Sequence, residues 1–292
     1  MKKLISKKIG FVMFLLLVGT SVVNAQVPEA KGVLWRVSGN GLEKDSYVFG
    51  TMHLICEDDY FMSDEAKAAI QQADEVVLEL DMDDPQMMVK MQQLSVDPKM
   101  RNIKDDLTEE EVVIVDKFLN DNFGQTLAQI GILKPFPLTS MVLVKAYECE
   151  NTKQYEAEIM NLAHEAGLDL KGLETVEFQF GALDNFSRDE QIASFVRQVK
   201  NPEAVTLLLD KMVDTYKKQD LSALYKIMED YEEFENFNQI MLADRNANWI
   251  PKIEEYAKKG SAFIAVGAGH LAGEKGVIAL LRAKGYKVEA VN

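Results

Sequence analysis

Apolar positions along this chain follow two rhythms. Short continuous or alternating hydrophobic runs stand near both ends, and residues three and four apart dominate between them. Two β-rich runs, 33–38 and 46–50, flank Gly39-Asn40-Gly41, which predicts a hairpin. Ser63 stands ahead of Asp64 and Glu65 as an N-cap, predicting a helix to about Gln72. Residues 75–80, Glu-Val-Val-Leu-Glu-Leu, predict a short buried strand that ends in acids. From about Pro85 to Pro251 the period is almost wholly helical. Thr108-x-x-Glu111 and Ser187-x-x-Glu190 are capping boxes. Asn201-Pro202 opens a helix with Val205, Leu208, Leu209, Met212 and Tyr216 on one face. One strand, 168–172, is expected in this middle region. The pattern then returns to a buried strand at 262–266, a helix over 271–283 with Gly285 past its end, and a last strand at 286–290.

Strands at both ends and helices between them predict an α/β fold with α+β character. The simplest form is one mixed central sheet built from the two chain ends, surrounded by helices, with a large helical middle region. Residues 1–25 read as a cleavable leader: Lys2, Lys3, Lys7 and Lys8 precede an apolar run from Phe11 to Val18, and Val23-Asn24-Ala25 closes it. That run is short for a membrane span, and no later stretch is apolar enough to cross a bilayer. The expectation is an exported chain, periplasmic or extracellular, with residues 26–292 as one domain.

Charge narrows the partners. The net charge is −15, and losing a leader with four lysines and no acid makes the chain more acidic still, which argues against nucleic acid. Cys56 and Cys149 are the two cysteines. Export permits a disulfide between them, although sequence alone does not place their Cα atoms within bridging distance. A zinc-thiolate site is disfavoured, because neither has a second cysteine nearby.

Candidate chemistry centres on histidine. Of three histidines, two occupy the same pattern, Gly50-Thr51-Met52-His53 and Gly267-Ala268-Gly269-His270, and each ends a predicted strand. Glu79 ends another. Sites in open α/β sheets gather beyond the carboxyl ends of strands, so these three residues suggest one centre. Two imidazoles and a carboxylate form the three-ligand set of an open catalytic metal site. A metal-free alternative makes one histidine a general base oriented by Glu79. Glu75, Asp81, Asp83 and Asp84 compete with Glu79, but strand alternation sets Glu79 on the face of Val77. His164 falls on an exposed helical face. Gly267-x-Gly269-x-x-Ala272 imitates a dinucleotide fingerprint, yet too little chain follows to complete that unit.

Taken together, the motifs resemble the TraB/GumN family, also written TraB/PrgY/GumN, whose animal relatives include the Tiki proteases. The resemblance rests on Leu34-Trp35, residues 47–53 and 75–81, Tyr155-Glu156, Gly172-Leu173-Glu174-Thr175-x-x-x-Gln179, Arg245-Asn246-x-x-Trp249 and residues 266–271. It implies a fold of the erythromycin-esterase, ChaN and Tiki kind, and a metal-dependent hydrolase centred on His53, Glu79 and His270. It further implies polar roles for Glu174, Gln179, Arg245 and Asn246, with Glu79, Arg245 and Glu174 in catalysis. Gly50, Gly267 and Gly269 would leave room for substrate. Arg245 is read as a clamp on an oxyanion or carboxylate, or else as an internal salt bridge to Glu174. The Tiki branch implies manganese or cobalt, with zinc or iron as alternatives, and a peptide or small-molecule substrate. The rival expectations are a non-catalytic protein that sequesters a peptide signal, and a metal- or haem-binding protein, for which Met52 beside His53 is the hint. Pro251, two residues after Trp249, suggests a kink or a new helix start.

Overall fold

The computed structural model describes residues 30–231 and 236–291, so the predicted leader lies outside the described residues. The strands are β1 (Leu34–Ser38), β2 (Ser46–Thr51), β3 (Ile55–Cys56), β4 (Glu75–Leu80), β5 (Thr152–Lys153), β6 (Leu170–Glu174), β7 (Ala262–Gly267) and β8 (Lys287–Ala290). Among the described residues the helices are α1 (Asp64–Gln71), α2 (Met87–Ser95), α3 (Glu109–Phe123), α4 (Leu127–Ile130), α5 (Pro135–Ala146) and α6 (Tyr155–Glu165). They continue with α7 (Val176–Leu183), α8 (Arg188–Lys200), α9 (Pro202–Lys217), α10 (Leu221–Asp230), α11 (Asp244–Lys259) and α12 (Val277–Ala283).

Six strands form one mixed sheet in the order β6-β4-β7-β2-β1-β8. The predicted sheet from both chain ends is present, with β6 from the helical middle added at one edge. β7 is buried along its whole length, as its unbroken apolar run requires for a strand with a parallel neighbour on each side. β1 pairs antiparallel with both β2 and β8. The hairpin between β1 and β2 turns through Gly39, Asn40 and Gly41, all with positive φ. The small second sheet pairs β3 with β5, next to a disulfide between Cys56 and Cys149.

Topology places the candidate residues together. β2, β7, β4 and β6 are parallel, so their C-terminal ends share one edge of the sheet. Val77 lies opposite Ile264 and Thr51 opposite Gly267, which brings Glu79 and both Gly-x-x-His motifs to one level. Gly50 makes the approach of the second motif feasible. A Cβ there would lie 2.9 Å from Leu271 Cδ1 and 3.2 Å from Ala268 Cα. The main core spans the sheet, α1, α6 and parts of α9 to α12, while Ile103, Val115, Leu119, Leu127, Leu138 and Phe195 belong to a separate core in the helical middle.

Both capping boxes form as expected, at Thr108 with Glu111 and at Ser187 with Glu190. Two expectations change. The helix predicted over 271–283 is replaced by a 3-10 turn, Ala268–His270, and a shorter helix that begins at Val277. Gly273 takes a left-handed φ of 83°, and Asn246 Nδ2 donates to the carbonyls of His270 and Lys275, so this backbone bonds outward instead of closing a helix. Pro251 does not start a new helix, one of the two readings offered for it, because α11 runs through it after a π-helical turn, Gln239–Ala243. Among the described residues, no helix is long and apolar enough to cross a membrane.

Candidate active site

Glu79, at the end of β4, is the hub. Its Oε1 accepts the Gly267 N–H at 2.8 Å, and its Oε2 accepts from Arg245 Nη2 at 2.6 Å and from Gln179 Nε2 at 3.4 Å. Arg245, on α11, is 4 % exposed. It also grips both oxygens of Glu174 through Nε, at 3.1 and 3.2 Å, and donates from Nη1 to the Met241 carbonyl at 3.0 Å. Trp249 Nε1 donates to Glu174 Oε2 at 2.8 Å, and its ring lies under the Arg245 guanidinium and beside the His270 ring. One buried cation therefore joins two buried carboxylates, and every donor group of its fork is engaged.

Both histidines of the centre are oriented through Nδ1. Asn246 spends Nδ2 on two carbonyls, which turns Oδ1 toward His270 Nδ1 at 2.7 Å. His270 thus donates from Nδ1 and keeps the Nε2 lone pair, which lies 3.2 Å from Arg245 Nη1. His53 Nδ1 donates to Glu156 Oε1 at 2.8 Å, and Thr51 Oγ1 donates to the same oxygen at 2.8 Å. A Cβ on Gly267 would sit 3.3 Å from His53 Nε2, 3.4 Å from Glu79 Oε1 and 3.6 Å from His270 Cδ2. The three side chains converge on that bare backbone. The His53 side chain is 67 % exposed, against 5 % for His270, so the site opens on the His53 side.

A family model, described as TraB/PrgY/gumN, matches residues 33–290. The chain belongs to the TraB/PrgY/gumN family. No curated protein and no solved structure matches the chain. In this TraB/PrgY/gumN member, the quoted motifs all lie at or around one edge of the sheet. Glu174 ends β6, Gln179 lies on α7, Arg245 and Asn246 lie on α11, and Gly269 packs against Met228, whose Sδ would be 2.7 Å from a Cβ there. Of the competing acids, Asp83 accepts from the Leu170 N–H and pairs with exposed His164 at 2.9 Å. Glu156, in the Tyr155-Glu156 motif, carries a role that its sequence neighbours do not announce. Its partner is set by the fold, so the one sequence signal was its place in Tyr155-Glu156.

Electrostatics keep the central carboxylate ionised. Burial opposes ionisation of Glu79, but His270, His53, Arg245 and the Gly267 N–H outweigh it and hold the carboxyl at about 2. Burial pushes His270 down to about 3, keeping it neutral at pH 7. For His53 loss of hydration at the mouth of the site opposes the charge, but the Glu156 carboxylate on Nδ1, helped by Glu79, outweighs it and raises the ring to about 9.

The donor chemistry suits a borderline divalent ion: two imidazoles with Nδ1 held by protein acceptors, and one carboxylate oxygen. As placed, however, no three His, Cys, Asp or Glu side chains among the described residues already surround a common ion position. Arg245 is the cation that competes there, through Glu79 Oε2 and His270 Nε2.

Proposed function

We propose that this protein is an exported metal-dependent hydrolase, a Tiki-like metallopeptidase in the narrower reading, with His53, Glu79 and His270 as its metal ligands. One observation carries the reading: both imidazoles donate from Nδ1 to built-in acceptors, leaving His53 Nε2 3.3 Å from the Cβ position of bare Gly267 and His270 Nε2 3.9 Å from Glu79 Oε1. Manganese or cobalt is the preferred ion, with zinc or iron as alternatives. A bound ion would supply a Lewis acid and a water of lowered pKa beside the substrate. The protein's own groups do the rest. Glu79 and His270 are fixed from the core, and His53 stands at the opening where a substrate carbonyl would enter. Arg245 balances Glu79 and Glu174, which makes it a positioning group rather than a clamp on substrate. Export is supported by the leader pattern and by the Cys56–Cys149 bond.

That same balance favours a second reading, in which the site needs no metal and His53 acts as acid or base, or the cleft holds a peptide without cleaving it. Metal content of mature protein purified without a histidine tag separates the two. Wild type, His53→Ala and His270→Ala are incubated with manganese, cobalt and zinc, desalted, and measured by elemental mass spectrometry. About one ion in wild type, lost in both variants, supports the metallohydrolase. Retention unaffected by either change refutes it. Peptide-cleavage screens follow, with His53→Ala expected to abolish turnover while costing less than about 1–2 kcal/mol of stability.

A further inference from the structure

The two histidines of the centre are held by different kinds of structure. His270 is 4 % exposed, and its partner Asn246 stands on α11, whose Trp249, Ile250 and Ile253 belong to the main core. His53 lies in the loop after β2 and is held from outside the main sheet by one stretch of chain, residues 147–156. Tyr147 Oη donates to the Leu54 carbonyl at 2.7 Å. Cys149 is bonded to Cys56. The Asn151 carbonyl accepts from the Glu57 N–H at 3.0 Å, and Thr152 and Lys153 pair with Cys56 and Ile55. Glu156, in the first turn of α6, then accepts from Thr51 and His53. Every one of these ties ends within residues 51–57.

We propose that residues 147–156 form a clamp that positions His53, with Glu156 as the positioning residue and the Cys56–Cys149 bond as the covalent closure. The proposal deepens the reading above and rests on it for what His53 would hold. The physical need is specific. Which imidazole nitrogen carries the proton is set by the hydrogen bond that the other one makes. A carboxylate at Nδ1 fixes the proton of the neutral ring there and leaves Nε2, the nitrogen 3.3 Å from the Cβ position of Gly267, with its lone pair. A two-stranded pairing as short as β3 with β5 has little stability of its own, so the disulfide and Tyr147 supply the restraint. His270 needs none of this, because its acceptor comes from the core. The two halves of the centre should therefore respond differently when the clamp is opened.

The experiment is long-range proton–nitrogen correlation spectroscopy on nitrogen-15-labelled, metal-free protein, with the pH raised until the His53 ring signals stop moving and the ring is neutral. Three histidines make the spectrum assignable with His53→Ala and His270→Ala. Four samples are compared: wild type, Glu156→Ala, Glu156→Gln, and wild type reduced by a water-soluble phosphine, which gives two thiols and takes up water oxygen as its oxide. Wild type should show the Nδ1–H tautomer at both His53 and His270. Glu156→Ala and the reduced protein should move His53 to mainly Nε2–H while His270 stays unchanged, and Glu156→Gln, which keeps an acceptor oxygen, should retain Nδ1–H. Zinc affinity, measured by calorimetry on the three non-reduced samples, should fall about 10–100-fold in Glu156→Ala and largely recover in Glu156→Gln. An unchanged His53 tautomer in Glu156→Ala, or in the reduced protein if that variant does not fold, overturns the proposal. Loss of both histidine signatures on reduction would show that the disulfide supports the whole fold, and would overturn its role as a local closure. If wild type takes up no metal while the tautomers change as stated, the metallohydrolase fails and the clamp stands.

Discussion

Arg245→Met removes the buried cation while keeping most of the aliphatic stem. It leaves Glu79 Oε2 without its 2.6 Å partner and takes three donor contacts from Glu174, and neither carboxylate is open to water. Breaking a buried ion pair by removing one member costs about 3–5 kcal/mol, because the other charge stays buried and uncompensated. At about 2–4 °C per kcal/mol for a domain of this size, the melting temperature should fall by roughly 10 °C. The pH dependence gives a second handle. Glu79 in wild type is held at about 2, below its usual value, so its contribution is present at pH 7 and fades only as pH falls toward 2. Without Arg245 the Glu79 carboxyl loses an opposing charge and should protonate more easily, relieving the variant on acidification. The stability gap between wild type and variant should therefore narrow between pH 7 and pH 4. Urea unfolding followed by circular dichroism at both values measures it. A gap below about 1 kcal/mol at pH 7, or one that does not narrow at pH 4, would refute Arg245 as the compensating cation.

Gly50→Ala should cost about 1–3 kcal/mol, because its Cβ would press on Leu271 and on the Ala268 backbone; an unchanged melting temperature would show that the turn after β7 has room to move. Trp249→Phe keeps a ring beside His270 but deprives Glu174 Oε2 of the indole N–H at 2.8 Å, and chemical denaturation should register a loss of about 1–3 kcal/mol. In the helical middle, Asp97 is 2 % exposed and accepts from Arg101, Lys99 and Arg188, with the Arg101 hydrogen bond foremost in holding it at about 2. Asp97→Asn should destabilise by about 1–3 kcal/mol at pH 7, and acid titration should show that deficit closing as pH falls from about 4 toward 2, where wild type loses the same carboxylate charge.

The reach of the sequence is clearest residue by residue. Capping signals such as Thr108 with Glu111 and Ser63 ahead of Asp64 were legible because both partners lie within one turn of chain. The ends of β2, β4 and β7 were legible because a buried strand writes its length as an apolar run, and that placed Glu79 at a strand end and His53 and His270 just beyond theirs. The family was legible from the order of those motifs. The tertiary structure alone decided what surrounds them. His53 meets Glu156 across 103 residues, Arg245 meets Glu79 across 166, and Glu79 meets Gly267 across 188. No local pattern encodes such pairs, since they arise from the parallel register of β2, β7 and β4 and from the packing of α6 and α11. The turn after His270 failed to become the expected helix for the same reason. Its carbonyls are satisfied by Asn246, a donor that only the folded chain brings within reach.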